Sequence, residues 1–267
     1  MIELTSGRYE PVAAALCPPS TLSVEVRSVL AGLSPGRVFA DRREDPGALL
    51  VWSHGMEGVY LAGTCFPAGF AGELEAFAAG QLRDLLAAAG YTSLEISGTT
   101  AEADQLIQTA FAARDLHCCE QWVYRSKPSP SAGKIDGETL PVLEAVNLRR
   151  GSAHFDLGRL LERFWGDRDG FAEHGLGYCS VVDGAPVSVC MSAFVDGRVH
   201  CVELETAEGF RRQGYATAAA SRFVAECQAR GLTVHWDCTA DNEASWRTAC
   251  RCGLLRVVEY RCWCFEL

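Results

Sequence analysis

The sequence predicts an α/β (α+β) protein assembled from two similar units, and three observations predict it. Short β-prone runs alternate with stretches of helical apolar spacing along the whole chain. The order helix, Gly, strand, helix, strand occurs twice, once toward the end of each half. A seam rich in Ser and Pro separates the two halves.

In the first half, weakly patterned sequence precedes a short strand at 36–41. Strands at 48–53 and 58–64 follow, with Gly55-Met56-Glu57-Gly58 as the turn between them. From 72 to 89 the residues Leu74, Ala78, Leu82, Leu85, Leu86 and Ala89 recur at helical spacing, and Gly90 is the stop. A strand at 91–97, a helix at 101–113 and a strand at 117–125 close this half.

The second half opens with short helices at 156–165 and 171–174. Strands at 177–182 and 186–195 form a hairpin around Asp183-Gly184, a strong hairpin turn pair. A strand at 199–206 leads to a helix at 214–230, whose apolar residues include Ala216, Ala219, Phe223, Val224 and Cys227, with Gly231 as its stop. A strand at 232–238, a helix at 242–252 and a strand at 255–265 complete the chain. A shift of 141 residues, with no gap, lays Gly90 on Gly231, Thr92 on Thr233, Ala103 on Ala244 and Trp122 on Trp263. The identities are few, so the shared element order carries the inference of two copies. The seam from Ser126 to Gly133 contains Pro128 and Pro130, which cannot donate to a sheet ladder. It sets the expected domains at 1–133 and 134–267.

Of the 267 residues, 48% are hydrophobic and 22% charged, a composition that folds rather than remaining disordered. The net charge is −10, with neither half basic, which argues against a nucleic-acid partner. No apolar run reaches the roughly 20 residues of a membrane span, and the start Met1-Ile2-Glu3 lacks the pattern of a signal peptide. The 13 cysteines are odd in number and scattered through apolar stretches, as in a cytoplasmic protein with reduced thiols. Cys250 with Cys252 and Cys262 with Cys264 miss the C-x₂₋₄-C spacing of zinc sites, so no metal is expected.

The stretch that carries chemistry is Thr206-Ala207-Glu208-Gly209-Phe210-Arg211-Arg212-Gln213-Gly214-Tyr215-Ala216-Thr217, between a strand and a helix. Amides at a helix start lack intrahelical partners and face the positive end of the dipole, which favours anions. Gly214 and Ala216 are small enough for a pyrophosphate to approach the main chain, and Arg211 and Arg212 add positive charge. Moving residues 211–216 back by 141 gives Phe70-Ala71-Gly72-Glu73-Leu74-Glu75, where the arginines are gone and two carboxylates fall where the phosphate would be.

This R-x-x-G-x-A loop, with the strand 202–206 before it, resembles motif A of the Gcn5-related N-acetyltransferase (GNAT) superfamily. His235-Trp236-Asp237-Cys238 and an Asn242-led helix ending at Cys252-Gly253-Leu254 follow in the family's order. Trp165-Gly166-Asp167 and Gly177-Tyr178-Cys179 resemble a branch that includes zwittermicin-type antibiotic-resistance enzymes and carries an extra N-terminal domain. The resemblance implies tandem GNAT-like folds, each a mixed, mostly antiparallel sheet flanked by helices, with the N-terminal copy degenerate. It implies acetyl-CoA as acyl donor and no metal. Arg211, Arg212, Gln213, Gly214, Tyr215, Ala216 and Thr217 would hold the pyrophosphate. Main-chain groups of Leu204, Glu205 and Thr206 would pair with the pantetheine arm, near Asn242 and Ser245. Asn242 is equally explained as a helix N-cap.

Direct transfer to an amine needs a base, a polarised carbonyl and an acid for the thiolate. The base candidates on the two splayed strands are Glu203 and Asp237, then His200; His200 shares a face with Glu203 only if a bulge intervenes. Where many family members carry a Tyr as acid, seven residues after the Asn, this chain has Ala249. The expected activity is N-acetylation of a small-molecule amine, an antibiotic or a biosynthetic intermediate, by a cytoplasmic enzyme. A homodimer is left open as its assembly. The alternatives are a non-catalytic acyl-CoA-binding module and an aminoacyl-tRNA-dependent transferase.

Overall fold

The computed structural model describes residues 1–5, 9–20, 22–56, 58–126, 138–148 and 156–267. The expected boundary at residue 133 lies outside these residues. The chain divides into one unit of residues 1–121 with 260–267, and a second unit of residues 122–259.

The first unit contains β1 (Ile2–Glu3), α1 (Tyr9–Leu16), α2 (Val24–Leu30), β2 (Gly36–Ala40), β3 (Leu49–Ser53) and β4 (Gly58–Ala62). Then come α3 (Phe70–Phe77), a π-helical turn (Ala78–Leu82), α4 (Arg83–Ala88), β5 (Ser93–Gly98) and α5 (Ala101–Ala110). β6 (His117–Arg125) follows. β2, β3, β4 and β5 are mostly buried on both faces, and period-two alternation sorts their side chains. Leu50, Trp52, Val59, Leu61 and Ile96 meet Leu74, Leu82, Leu86 and Ile107 from the later helices. Val38, Leu49, Val51, Tyr60 and Ala62 meet Val26, Val29 and Leu30 of α2. The opening stretch that reads as weakly patterned therefore supplies α1 and α2. Both are short, and α2 is rich in β-branched residues that weaken a helical signal.

The second unit contains β7 (Thr139–Pro141), α6 (Val142–Ala145), α7 (Leu157–Trp165), α8 (Arg168–His174), β8 (Gly177–Val182) and β9 (Ala185–Asp196). β10 (Val199–Thr206), a 3₁₀ turn (Glu208–Phe210), α9 (Tyr215–Ala229), β11 (Thr233–Thr239), α10 (Glu243–Arg251) and β12 (Leu255–Glu266) complete it. The predicted hairpin turn is present, with φ +50 at Asp183 and +75 at Gly184. β7 to β10 pair antiparallel in turn, while β10 and β11 pair parallel. Phe223, Val224 and Cys227 of α9 cover one face with Val234 and Trp236. On α7 and α8, Phe164 meets Phe194 edge-on and Trp165 meets Phe171 edge-on.

The end of β12 departs from the expected domain division. Residues 260–267 belong to the first unit, where Cys262 to Glu266 pair antiparallel with Ser97 to Ser93 of β5. Phe265 is buried among that unit's core residues, 4.7 Å from Phe111, and Trp263 Nε1 donates to Asp104 Oδ1 at 2.6 Å.

The gap-free repeat is also corrected. The first unit's helical run from 70 to 88 is longer than α9 by about one turn and contains the π-turn. Gly69, at φ +83, thus stands where Gly214 stands, at φ +92, each as the residue before its helix. Glu73 and Glu75 lie inside α3 and do not occupy the loop. The loop's own residues are Phe66, Pro67 and Ala68, with Phe66 stacked on Phe70.

Replacing Phe265 by Ala removes a buried ring from the first unit's core and should cost about 3–5 kcal/mol. Urea unfolding should show that loss, and a variant within about 0.5 kcal/mol of the parent would contradict this account of β12.

Candidate active site

The second unit's parallel pair is short. Val199, His200 and Cys201 are in register with Thr233, Val234 and His235, and the register goes no further, although β10 continues to Thr206. Along its other edge β10 stays paired with β9 to the end. That pairing shifts by one residue between Cys201 and Val202, because Phe194 faces Cys201 while Ser192 faces Val202. The extra residue, Ala193, is in β9, so alternation along β10 is kept.

This alternation sorts the main chain. Glu205 O accepts from Ser188 Oγ at 3.0 Å and Ala207 N donates to Val187 O at 3.0 Å, so both residues turn toward β9. Leu204 and Thr206 turn their amides and carbonyls to the opposite side, away from β9. The equivalent strands of the first unit do not part in this way. Gly58 to Leu61 of β4 are in register with Glu95 to Gly98 of β5, and Thr99 N continues to Leu61 O at 3.0 Å.

Beyond β10 the loop is tied to its own base. Arg211 Nε donates to Thr206 O at 3.3 Å, and Gln213 Nε2 to Gly209 O at 3.0 Å. Arg212 and Gly214 both have positive φ, +61 and +92, a backbone form that gathers successive N–H groups into an anion-binding concavity. A Cβ at Gly214 would meet nothing within 4 Å, so its glycine is needed for conformation and not for internal space. The first α9 ladder bond runs from Ala218 N to Gly214 O, leaving the amides of Tyr215, Ala216 and Thr217 ahead of the ladder. Thr100, Asp156, Asp167 and Asn242 cap α5, α7, α8 and α10 with side-chain oxygens, whereas α9 has no capping side chain. Arg211, Arg212, Gln213 and Gly214 are exposed.

The side chains divide between the two faces of the sheet. Val202 and Leu204 pack with α9 and with Val234, Trp236 and Cys238 of β11. Glu203 and Glu205 of β10, and His235 and Asp237 of β11, project from the other face. The structure therefore brings Glu203, Glu205 and Asp237 to one face. Burial raises the Glu203 carboxyl above the usual range; the Arg163 guanidinium opposes this and the Glu205 carboxylate adds to it. His235 Nε2 lies 3.9 Å from Asp237 Oδ2.

His200 stands on the covered α9 face, apart from Glu203. It is buried, with Nδ1 2.8 Å from Ser192 Oγ, and burial, aided by Arg230, lowers its pKa to about 4. The bulge that would put it beside Glu203 is in β9 and not in β10. Asn242 Oδ1 accepts from Ser245 N at 3.1 Å as the α10 cap, and Ser245 Oγ accepts from Trp236 Nε1 at 2.9 Å. Ala249 is fully buried among Trp236, Phe223 and Leu254, so its side chain faces core. Sequence reasoning missed Arg163 and Ser192. Each acts across elements far apart in sequence, which periodicity cannot register.

Three comparisons bear on these features. The family model described as GNAT acetyltransferase matches residues 19–263. An uncharacterized N-acetyltransferase of Bacillus subtilis, YdfB, is 26% identical, the match covering 97% of this chain and 96% of that protein. Among solved structures, a GCN5-related N-acetyltransferase-like protein from Streptococcus suis is similar with a TM-score of 0.65 at 18% identity, covering 98% of this chain and all of that one. A tandem GNAT protein from the clavulanic acid biosynthesis pathway is similar with a TM-score of 0.56 at 14% identity, covering 99% of this chain and 97% of that one. At these identities the structural likeness speaks to the fold.

The depressed pKa of His200 has a consequence for stability. Between its unfolded value of 6.5 and its folded value of about 4, the unfolded chain binds the proton and the folded chain does not. Stability from this group is therefore complete above 6.5 and is lost as the pH falls toward about 4, by up to about 1.4 kcal/mol per pH unit. His200→Asn should flatten this dependence in denaturant unfolding measured at about pH 7 and about pH 5; equal slopes in both proteins would refute it.

Proposed function

The chain belongs to the GNAT acetyltransferase family and is an acyltransferase; from that premise we propose that it moves an acetyl group from acetyl-CoA to an amine of a small molecule by direct transfer. One observation carries the reading. The second unit combines an open parallel edge with an uncapped, glycine-led helix start, and the first unit keeps its parallel edge paired. A pantetheine arm is an extended amide chain, so it can pair with Leu204 and Thr206 as an added strand. Pyrophosphate oxygens accept from the amides of 212–217, with Arg211 and Arg212 countering their charge.

With the thioester in the gap, Glu203 takes a proton from the acceptor ammonium, and the amine nitrogen attacks the acetyl carbonyl carbon. The C–S bond breaks, and the CoA thiolate takes up a proton from solvent or the one removed from the ammonium. A raised Glu203 pKa brings its basicity closer to that of the amine, which favours the proton transfer. Asp237, on the same face, holds the cationic acceptor. Cytoplasmic residence and a single donor site per chain belong to the same proposal; among the described residues no helix is long and apolar enough to cross a membrane.

CoA thiol release should appear with acetyl-CoA and at least one member of a panel of small amines. Calorimetry should find one CoA site per chain, lost in Gly214→Glu, which strains the left-handed position and sets a carboxylate among the anion donors. Two sites, or one that survives that substitution, would overturn the assignment. Glu203→Gln should lower kcat/KM for the amine by about 10²–10⁴ with CoA affinity unchanged, and near-normal turnover would remove Glu203 as the base.

A further inference from the structure

The point where β10 leaves β11 is fastened from the buried side. Ser192, fully buried, faces Val202, the first β10 residue beyond the register shift. Several hydrogen bonds converge on it. Its Oγ lies 2.8 Å from His200 Nδ1 and accepts the Leu176 amide at 3.1 Å. Its own amide donates to Leu176 O at 2.7 Å, and its carbonyl accepts Trp165 Nε1 at 2.9 Å.

His200 is the middle of the three β10 residues in register with β11, opposite Val234. Its bond to Ser192 thus ties the paired part of β10 to the β9 residue that faces the departing part, across the bulge at Ala193. A bulge is held against a competing ladder without the extra residue, and a one-residue slip would exchange the faces of every side chain beyond it. A bulge also bends and twists the strand pair, so its loss would change the angle at which residues 202–206 of β10 leave β11.

We propose that Ser192 and His200 are positioning residues whose mutual hydrogen bond pins the β9 bulge, and thereby sets the direction of residues 202–206 and the shape of the acyl-donor gap. This rests on the donor-site reading given above. His200 then contributes as a neutral hydrogen-bonding ring and not as a base. Ser192 Oγ also meets Leu176, so removing it frees two partners, whereas an Asn at position 200 retains a polar group for Ser192.

The test uses the full chain and three variants: Ser192→Ala, His200→Phe and His200→Asn. CoA itself is the probe, titrated by calorimetry into samples whose folded fraction is matched by circular dichroism. Ser192→Ala and His200→Phe should weaken CoA binding roughly five- to tenfold, the scale of one net hydrogen bond, and His200→Asn should stay within about threefold of the parent. Hydrogen exchange needs no ligand. Amides of 203, 205 and 207, which turn toward β9, should exchange faster in Ser192→Ala and His200→Phe and at the parental rate in His200→Asn. Unchanged exchange and affinity in folded Ser192→Ala would overturn the proposal, as would equal damage from Asn and Phe at position 200. If the parent does not bind CoA, the donor-site reading fails, and the exchange rates still decide whether the bond pins the bulge.

Discussion

The second unit depends on a parallel strand pair that stops early. Three residues of β10 are matched to β11, and the remaining five keep only their β9 partners. An exposed row of main-chain donors and acceptors is ordinarily a liability, one that proteins cover or interrupt. Here it leads directly into a loop that gathers further amides at the start of α9. Backbone groups from two elements lie side by side there, which is the arrangement the proposed pantetheine and pyrophosphate contacts would use. The carboxylates of Glu203 and Asp237 share one face because β10 and β11 are in phase where they still pair, Cys201 facing His235.

The first unit shows what the same element order does without that interruption. β4 and β5 remain paired through Leu61 and Gly98, and Thr99 extends the contact. Its helix also starts at a left-handed glycine, Gly69, so the glycine alone does not distinguish the two units. The distinction lies in the strand pairing and in the loop residues, where Phe66 and Pro67 supply an aromatic stack and a missing N–H instead of arginines.

Much of this was legible in the sequence for local reasons. The hairpin at Asp183-Gly184, the long helix after Gly214 and the cap at Asn242 rest on turn chemistry and periodicity, which neighbouring residues determine. The early helices α1 and α2 were not legible, because both are short, α2 is rich in β-branched residues, and they are held by the strands they cover. The helix lengths of the two units differ by a turn, and a gap-free shift could not register it. Face assignments were only partly legible, because the position of the bulge depends on how β9 and β10 meet. His200 shows this best. Its residue type suggests a base, and only the fold shows it buried on the covered face with Nδ1 beside Ser192 Oγ.

The chain's last eight residues form an inner strand of the first unit, beside β5. During synthesis the ribosome therefore makes residues 122–259, the whole second unit, before the first unit receives Trp263 and Phe265. The first unit made is the last to be completed, and until then the β5 edge and the Phe111 face of its core are bare. A message cut short after residue 259 would yield a second unit with all of its residues and a first unit missing a wall. Quality control by chaperones and proteases would read such a truncation through the half of the protein that was translated first.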